Sequence, residues 1–186
     1  MAATFHFCED NGAQAGSPLH GATRSGFGAD TNYPTDCNWK NIDDNTVNAG
    51  TLYSNSPITA GNNSFKKYQY CHFSGSFNQI LNCLWSAHTA GTSPMGTGLT
   101  LIGTVSSTYA TPSVTTLSGT DFSSTVAIGS GLGVSFKTTG PEGASPSATL
   151  GAEGYSQYFV TQLQTTSGAG AGDTPVITQS VRYDEN

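Results

Sequence analysis

The stretch KKYQYCHFSGSFNQILNCLWSAH, residues 66–88, is the most apolar run of the chain and carries a turn signal in its middle. Residues alternate in character along 67–73, before Ser74-Gly75-Ser76, and the alternation resumes through 82–85. Tyr, Phe, Ile and Trp fit a pleated, half-buried surface, whereas a helix would hold a glycine in its interior at a cost of about 1 kcal/mol. The pattern therefore predicts a central β-hairpin of two neighbouring antiparallel strands, on which the rest of the chain stacks.

Shorter alternating segments, separated by Gly, Pro, Ser and Asn, flank this stretch on both sides. They predict strands at residues 4–8, 37–42, 51–53, 99–105, 114–117, 124–128, 132–137, 155–164 and 176–183. About eight of these short strands, at roughly even spacing, indicate an all-β fold, a two-sheet antiparallel β-sandwich that is jelly-roll-like and lacks full-length helices. The predicted core residues are Phe73, Leu81, Cys83, Trp85, Leu99, Leu101, Phe159 and Leu163.

Residues 1–36 differ from the rest, because between residues 11 and 35 the only large apolar or aromatic side chains are Leu19, Phe27 and Tyr33. So few apolar residues cannot bury a layer of their own. We therefore divide the chain into an extended N-terminal arm at 1–36 and a β-sandwich domain at 37–186. The arm is either a partly ordered tail or a segment that folds only against a neighbouring subunit, using Phe5, Phe7, Leu19, Phe27 and Tyr33.

The composition excludes several classes of partner. Only 10% of the residues are charged, and six basic against twelve acidic residues give a net charge of −6. This balance disfavours binding to nucleic acid or to an anionic membrane surface. No apolar run approaches the roughly 18 residues needed to cross a bilayer, and the N-terminus lacks the features of a signal peptide. We expect synthesis in a cytoplasm, although the glycine-, threonine- and asparagine-rich texture resembles that of an extracellular protein; a virus particle, assembled inside a cell and working outside it, reconciles the two.

The four cysteines, Cys8, Cys37, Cys71 and Cys83, show neither a C-x-x-C pair nor zinc-finger spacing. Their even number would also allow a disulfide framework. In the predicted hairpin, however, Cys71 and Cys83 lie about 13 Å apart along the ladder, too far to bridge. We therefore expect reduced thiols, with Cys71 and Cys83 packed as small apolar residues.

The sequence contains few features that would indicate catalysis or metal binding. The sequence has no G-x-S-x-G, P-loop, G-x-G-x-x-G or H-E-x-x-H motif, so we predict that it is not an enzyme and needs no cofactor or metal. Asp43-Asp44-Asn45 would suit calcium but lacks the spacing of a calcium loop and is better interpreted as a turn. A metal site from Cys71, His72, Cys83 and His88 is disfavoured, because alternation places Cys71 and His72 on opposite faces.

Aromatic residues offer one further possibility. A sugar-stacking platform would draw on Trp39, Tyr53, Tyr68, Tyr70, Trp85 and Tyr158. The competing interpretation is that these rings are core, and Trp85, which follows Cys83 and Leu84, favours it.

Three segments resemble small β-rich structural proteins of tailed-phage particles: NWKNIDD at 38–44, SPITAGNNSFKKYQYCHFSGSFNQILNCLWSAHTAG at 56–91, and YFVTQLQTTSGAGAGDTPVITQSVRYDE at 158–185. The resemblance covers about residues 37–105 and 155–185. It implies a non-enzymatic virion component, most simply a cement or decoration protein that bridges neighbouring major capsid protein subunits on the head. Its partners would be the major capsid protein and further copies of itself, a trimer by analogy with other shell clamps. A tail-fibre, spike or carbohydrate-binding receptor module is the alternative.

Overall fold

The computed structural model describes residues 3–10, 12, 39–43, 56–89, 95–123, 131–143, 145–172 and 177–186. These residues form eleven β-strands and no helix. The strands are β1 (Ala3–Asp10), β2 (Lys67–Gly75), β3 (Ile80–Thr89), β4 (Leu99–Ser106), β5 (Thr120–Asp121), β6 (Leu132–Gly133), β7 (Phe136–Lys137), β8 (Thr149–Leu150), β9 (Gly154–Ser156), β10 (Tyr158–Thr165) and β11 (Ile177–Glu185). The predicted all-β, two-sheet antiparallel sandwich is confirmed.

The two sheets differ in size. The larger has seven strands in the order β5-β4-β10-β2-β9-β7, with β1 paired to the remaining edge of β2. The smaller has four, in the order β11-β3-β6, with β8 also paired to β3. All pairs between the described strands are antiparallel. The main core lies between one face of each sheet, because its buried residues come from both sheets.

The prediction of a central hairpin is wrong, although both of its strands are present. β2 belongs to the larger sheet and β3 to the smaller, so the chain between Gly75 and Ile80 crosses the sandwich. Phe73 of β2, and Ile80 and Trp85 of β3, are fully buried in one shared core. Two strands that each carry a strongly apolar face bury more surface by facing each other across a core than by lying side by side in one sheet.

Six of the eight predicted core residues are buried, and a β-bulge explains one of the two exceptions. Leu81 is only half-buried, whereas its neighbour Ile80 is fully buried. The pairing of β3 with β11 shifts register at Asn82, whose φ is +53°. Because of this bulge, the side chains of Ile80 and Cys83 both point into the core and that of Leu81 does not. The other exception, Leu99, is half-buried and packs against the core.

The remaining strand predictions have mixed outcomes. Those at 4–8, 99–105 and 176–183 are confirmed as β1, β4 and β11, and 155–164 is confirmed but interrupted at Gln157. The single strand at 132–137 is wrong, because its two ends join different sheets as β6 and β7. Residues 114–117 and 39–42 form no strand, while 51–53 and 124–128 lie outside the described residues.

The arm prediction is corrected for residues 3–10. β1 pairs with β2 from Ala3↔Gly75 to Asp10↔Tyr68, and the rings of Phe5 and Phe7 pack against the main core. Their alternation with polar residues gives them a buried face inside their own domain, so they are not contacts of a free arm. Leu19, Phe27 and Tyr33, and the proposed boundary at 36/37, lie outside the described residues.

Candidate functional site

Two buried carboxylates fix the end of β1. Glu9 Oε1 accepts a hydrogen bond from Lys67 Nζ at 3.0 Å, and the two side chains are 2% and 1% exposed. On the opposite face of the sheet, Asp10 Oδ2 accepts a hydrogen bond from the Tyr158 hydroxyl at 2.7 Å. A slip of one residue along β2 would exchange the faces of the two carboxylates. The pair therefore specifies the register of this edge strand.

A second, smaller core covers the outer face of the larger sheet. Five tyrosines form it, with edge-to-face contacts such as Tyr68–Tyr109 at 5.0 Å and Tyr70–Tyr158 at 5.6 Å between ring centroids. The Tyr109 hydroxyl donates to the carbonyl of Gly12 at 2.6 Å. These rings pack against one another, and their contacts hold neighbouring loops against the sheet. They leave no open ring face on which a ligand could stack.

Four of the five described rings of the sugar-platform hypothesis are buried and offer no exposed face for stacking. Trp85 is fully buried and stacks on Phe159 with centroids 4.9 Å apart, which confirms its interpretation as core. Trp39 is half-buried and donates its indole N–H to Thr161 Oγ1 at 3.1 Å. Tyr53 lies outside the described residues.

A row of rings crosses the larger sheet over β1, β2 and β9. His6, His72 and Tyr155 are cross-strand neighbours on β1, β2 and β9, and His72 stacks on Tyr155 with centroids 4.7 Å apart. The Glu153 carboxylate lies 3.0 Å from His72 Nε2. Nothing in the described part of the chain groups three His, Cys, Asp or Glu side chains around a possible metal position. Asp43, from the calcium alternative, instead accepts the Gly12 N–H at 2.6 Å.

The cysteines have the predicted state but not the predicted geometry. Cys8, Cys71 and Cys83 are buried thiols that form no disulfide within the described residues, while Cys37 lies outside them. Cys71 and Cys83 are on different sheets, so the ladder distance derived from a hairpin does not apply. Burial raises the pKa of Cys83 to about 12 and that of Cys71 well above its ordinary value. Both thiols are therefore protonated and unreactive at neutral pH.

Side-chain amides hold the segment 113–117 on the outer face of the larger sheet. Gln162 Nε2 donates to the carbonyls of Ser64 and Thr115, and its Oε1 accepts the Leu117 N–H at 2.7 Å. Gln164 Nε2 donates to the Leu117 carbonyl, also at 2.7 Å. The sequence predicts a strand here, but amide side chains satisfy the backbone of this segment where a neighbouring strand would otherwise do so.

The sandwich has one side with long strand edges and another with short ones. β5 and β7, which end the larger sheet, and β6 and β8 of the smaller sheet are two residues long. β1 and β11 are eight and nine residues long, and each pairs with a described strand on one edge only. Very short edge strands are a common protection against unwanted pairing, whereas long ones offer rows of backbone donors and acceptors.

The two long edges lie on the same side of the molecule. The backbone N–H of Ala3 donates to both carboxylate oxygens of Glu185, at 3.0 and 3.1 Å, and the ring of Phe5 stacks on Tyr183 with centroids 5.9 Å apart. Side chains rather than strand pairing thus connect β1 to β11. Sequence reasoning misses this side as a site, although it predicts strands near both ends of the chain. We call it the β1/β11 side.

Comparison of the chain with protein-family models, with curated proteins and with solved structures found no match. Among the described residues there is no helix with the length and apolar character of a membrane span. Any functional proposal therefore rests on the sequence and on the geometry above.

Proposed function

We propose that the protein is a non-enzymatic structural component of a tailed-phage virion, a cement or decoration protein that stabilises the head by bridging major capsid protein subunits. It assembles inside the host cell as a homo-oligomer and then occupies the particle surface. The resemblance of residues 38–44, 56–91 and 158–185 to virion proteins supports this proposal.

The use of the polar side chains agrees with a structural role. The buried or partly buried polar groups described above bind other parts of the same chain: Lys67 binds Glu9, Tyr158 binds Asp10, and Gln162 binds the segment 113–117. Catalysis, in contrast, needs polar groups that converge on a space where substrate can enter. These groups give rigidity instead, which suits a protein that must keep its shape on a particle.

The observation that carries the proposal is the contrast between the edges. Among the described strands, four short ones close part of the sandwich, while the long strands β1 and β11 each pair along one edge only. In a soluble monomer long edges carry a risk of aggregation, so their retention on one side favours a protein whose function is assembly. Many modest contacts of this kind add up over a lattice, because every bound copy raises the free energy needed to open the shell.

The test is binding to purified, DNA-free heads of the virus that encodes the chain, prepared without this protein. We expect saturable binding and a higher temperature of shell opening, measured by light scattering. Heads that neither bind the protein nor gain heat stability would contradict the proposal. In that case, binding to a glycan array or to whole host cells would support the tail-fibre or receptor-binding alternative.

A matched variant tests the contribution of Leu19, Phe27 and Tyr33. Deleting residues 1–36 would remove β1 and disrupt the larger sheet, so the deletion must spare residues 1–12. The Gly12 N–H lies 2.6 Å from Asp43 Oδ2, so residues 13–36 can be replaced by a short Gly-Ser linker. If these three residues contact the shell, the linker variant will keep its thermal stability and bind heads more weakly. Equal binding would remove them from the interface.

A further inference from the structure

We propose that a second copy of the chain pairs with the edge of β11 that faces away from β3, forming an antiparallel strand pair with two-fold symmetry centred on Tyr183. The two smaller sheets then join into one continuous sheet across the dimer. This inference rests on the homo-oligomer part of the proposed function and names the surface responsible. Its test uses the isolated protein, so it can fail while head binding holds, or hold while head binding fails.

The residue that follows β11, Asn186, shows how the backbone groups along the strand are oriented. Asn186 donates its N–H to the Gln79 carbonyl at 2.9 Å and accepts the Gln79 N–H at 3.3 Å, so both of its backbone groups point toward the β3 side. In an antiparallel strand this orientation alternates with every residue. The backbone groups of Glu185, Tyr183 and Val181 therefore point away from β3. No described strand pairs with that edge.

The charged side chains along this edge favour one register for the pair of β11 strands. The edge carries Arg182 and Asp184, both exposed, on either side of Tyr183. If Tyr183 lies opposite the same residue of the second copy, then Arg182 of each copy lies opposite Asp184 of the other, which gives two ion pairs. Shifting the axis to Arg182 or to Asp184 would instead place like charges opposite each other, and this is destabilising. Centring the pair on Tyr183 also places Val181 opposite Glu185 of the second copy, so that outward-pointing backbone groups meet each other.

Local structure keeps β11 ready for such pairing. The bulge at Asn82 places the extra residue on β3, so β11 stays regular along the edge that faces away from β3. Asn82 Nδ2 donates to Asp184 Oδ2 at 2.7 Å and fixes the position of that carboxylate. The ring of Tyr183 packs inward on Phe5 and Phe73, which holds the centre of the strand in place. An ordered strand loses little conformational entropy when it pairs.

The experiment measures dimer affinity by sedimentation equilibrium for the full chain and for two charge reversals, Arg182→Glu and Asp184→Lys. The parent should be a dimer in reversible equilibrium with monomer. Each single variant places like charges opposite each other twice and should raise Kd by at least about tenfold.

A one-to-one mixture of the two variants should form a heterodimer. In that dimer the glutamate introduced at position 182 of one copy faces the lysine introduced at position 184 of the other, and the second pair keeps the original Asp184 and Arg182. Both pairs then join opposite charges. Thr178→Glu, on the same strand but outside the paired register, is the control and should not change Kd.

Thermal unfolding of each variant shows whether its fold is intact, which matters for Asp184→Lys because that change removes the bond to Asn82. A parent that stays monomeric to its solubility limit, or that forms a trimer, would overturn the proposal. So would single variants that dimerise as tightly as the parent, or a mixture that associates no better than its components.

Discussion

Replacing Lys67 by Met should be among the most destabilising single changes in this protein. The Lys67 ammonium lies 3.0 Å from the Glu9 carboxylate, and the side chains are 1% and 2% exposed. Methionine matches the lysine stem in volume but leaves the carboxylate buried without this ammonium. Breaking a buried ion pair from one side costs about 3–5 kcal/mol. Because domains of this kind are stable by only about 5–15 kcal/mol, the variant should lose a large share of its total stability.

Urea unfolding, followed by the fluorescence of the buried Trp85, measures this loss directly. The matched control is the double variant Lys67→Met with Glu9→Leu, which removes both charges and keeps the volume. It should recover most of the lost free energy, since a well-packed apolar pair often equals or exceeds a buried ion pair in stability. A Lys67→Met variant within about 1 kcal/mol of the parent would refute the buried pair, given the usual cost of such changes. So would a double variant whose loss equals the sum of the two single losses.

Three further changes test other parts of the structure. Trp85→Ala should cost about 3–5 kcal/mol in urea unfolding because its ring fills the core, and a variant as stable as the parent would contradict that position. Burial keeps the thiols of Cys71 and Cys83 protonated in the folded state, whereas the unfolded thiols ionise with a pKa near 9.0. The unfolded state then binds fewer protons, so stability should fall above pH 9 by about 1.4 kcal/mol per pH unit for each thiol, until the folded pKa is reached. The double Cys→Ala variant should remove the thiols' share of that slope between about pH 9 and 11, whereas Tyr68 and Tyr183, whose pKa values burial also raises, keep their share. An unchanged slope would show that the two thiols do not contribute to it. Gln162→Ala leaves backbone groups of the segment 113–117 without partners, so a protease should cut there faster than in the parent, and equal rates would show that the amide does not hold the segment.

The strands themselves were largely predictable from sequence, because alternation is a local property. β1, β4 and β11 follow from it, as do the positions of β2 and β3. Their partners were not predictable. Ser74-Gly75-Ser76 is an equally good turn signal for a hairpin and for a crossing between sheets, and only the burial of Phe73 and Trp85 in one core decides between them. Burial of this kind depends on the whole chain rather than on neighbours in sequence.

The candidate site was harder to predict than the fold. Phe5 and Phe7 lie in a segment poor in apolar residues, so composition suggested an arm, although their alternation with polar residues pointed to a strand. Leu81 is only half-buried and not in the core as predicted, because a single residue with positive φ, Asn82, shifts the alternation. The β1/β11 side depends on which of the described strands pair along one edge only, and that is known only when every strand has been assigned its partners. The sequence offers one signal for this side, which is the placement of Arg182 and Asp184 on either side of Tyr183 in the last predicted strand.

Quantitative mass spectrometry of purified particles tests the central claim most directly. The proposed virion role predicts that phage particles whose genome encodes this chain contain it at a constant molar ratio to the major capsid protein, and that the ratio survives purification through a density gradient. The same ratio should appear in DNA-free heads that lack tails. Particles without the chain, or a chain found only in the tail fraction, would contradict a role in stabilising the head.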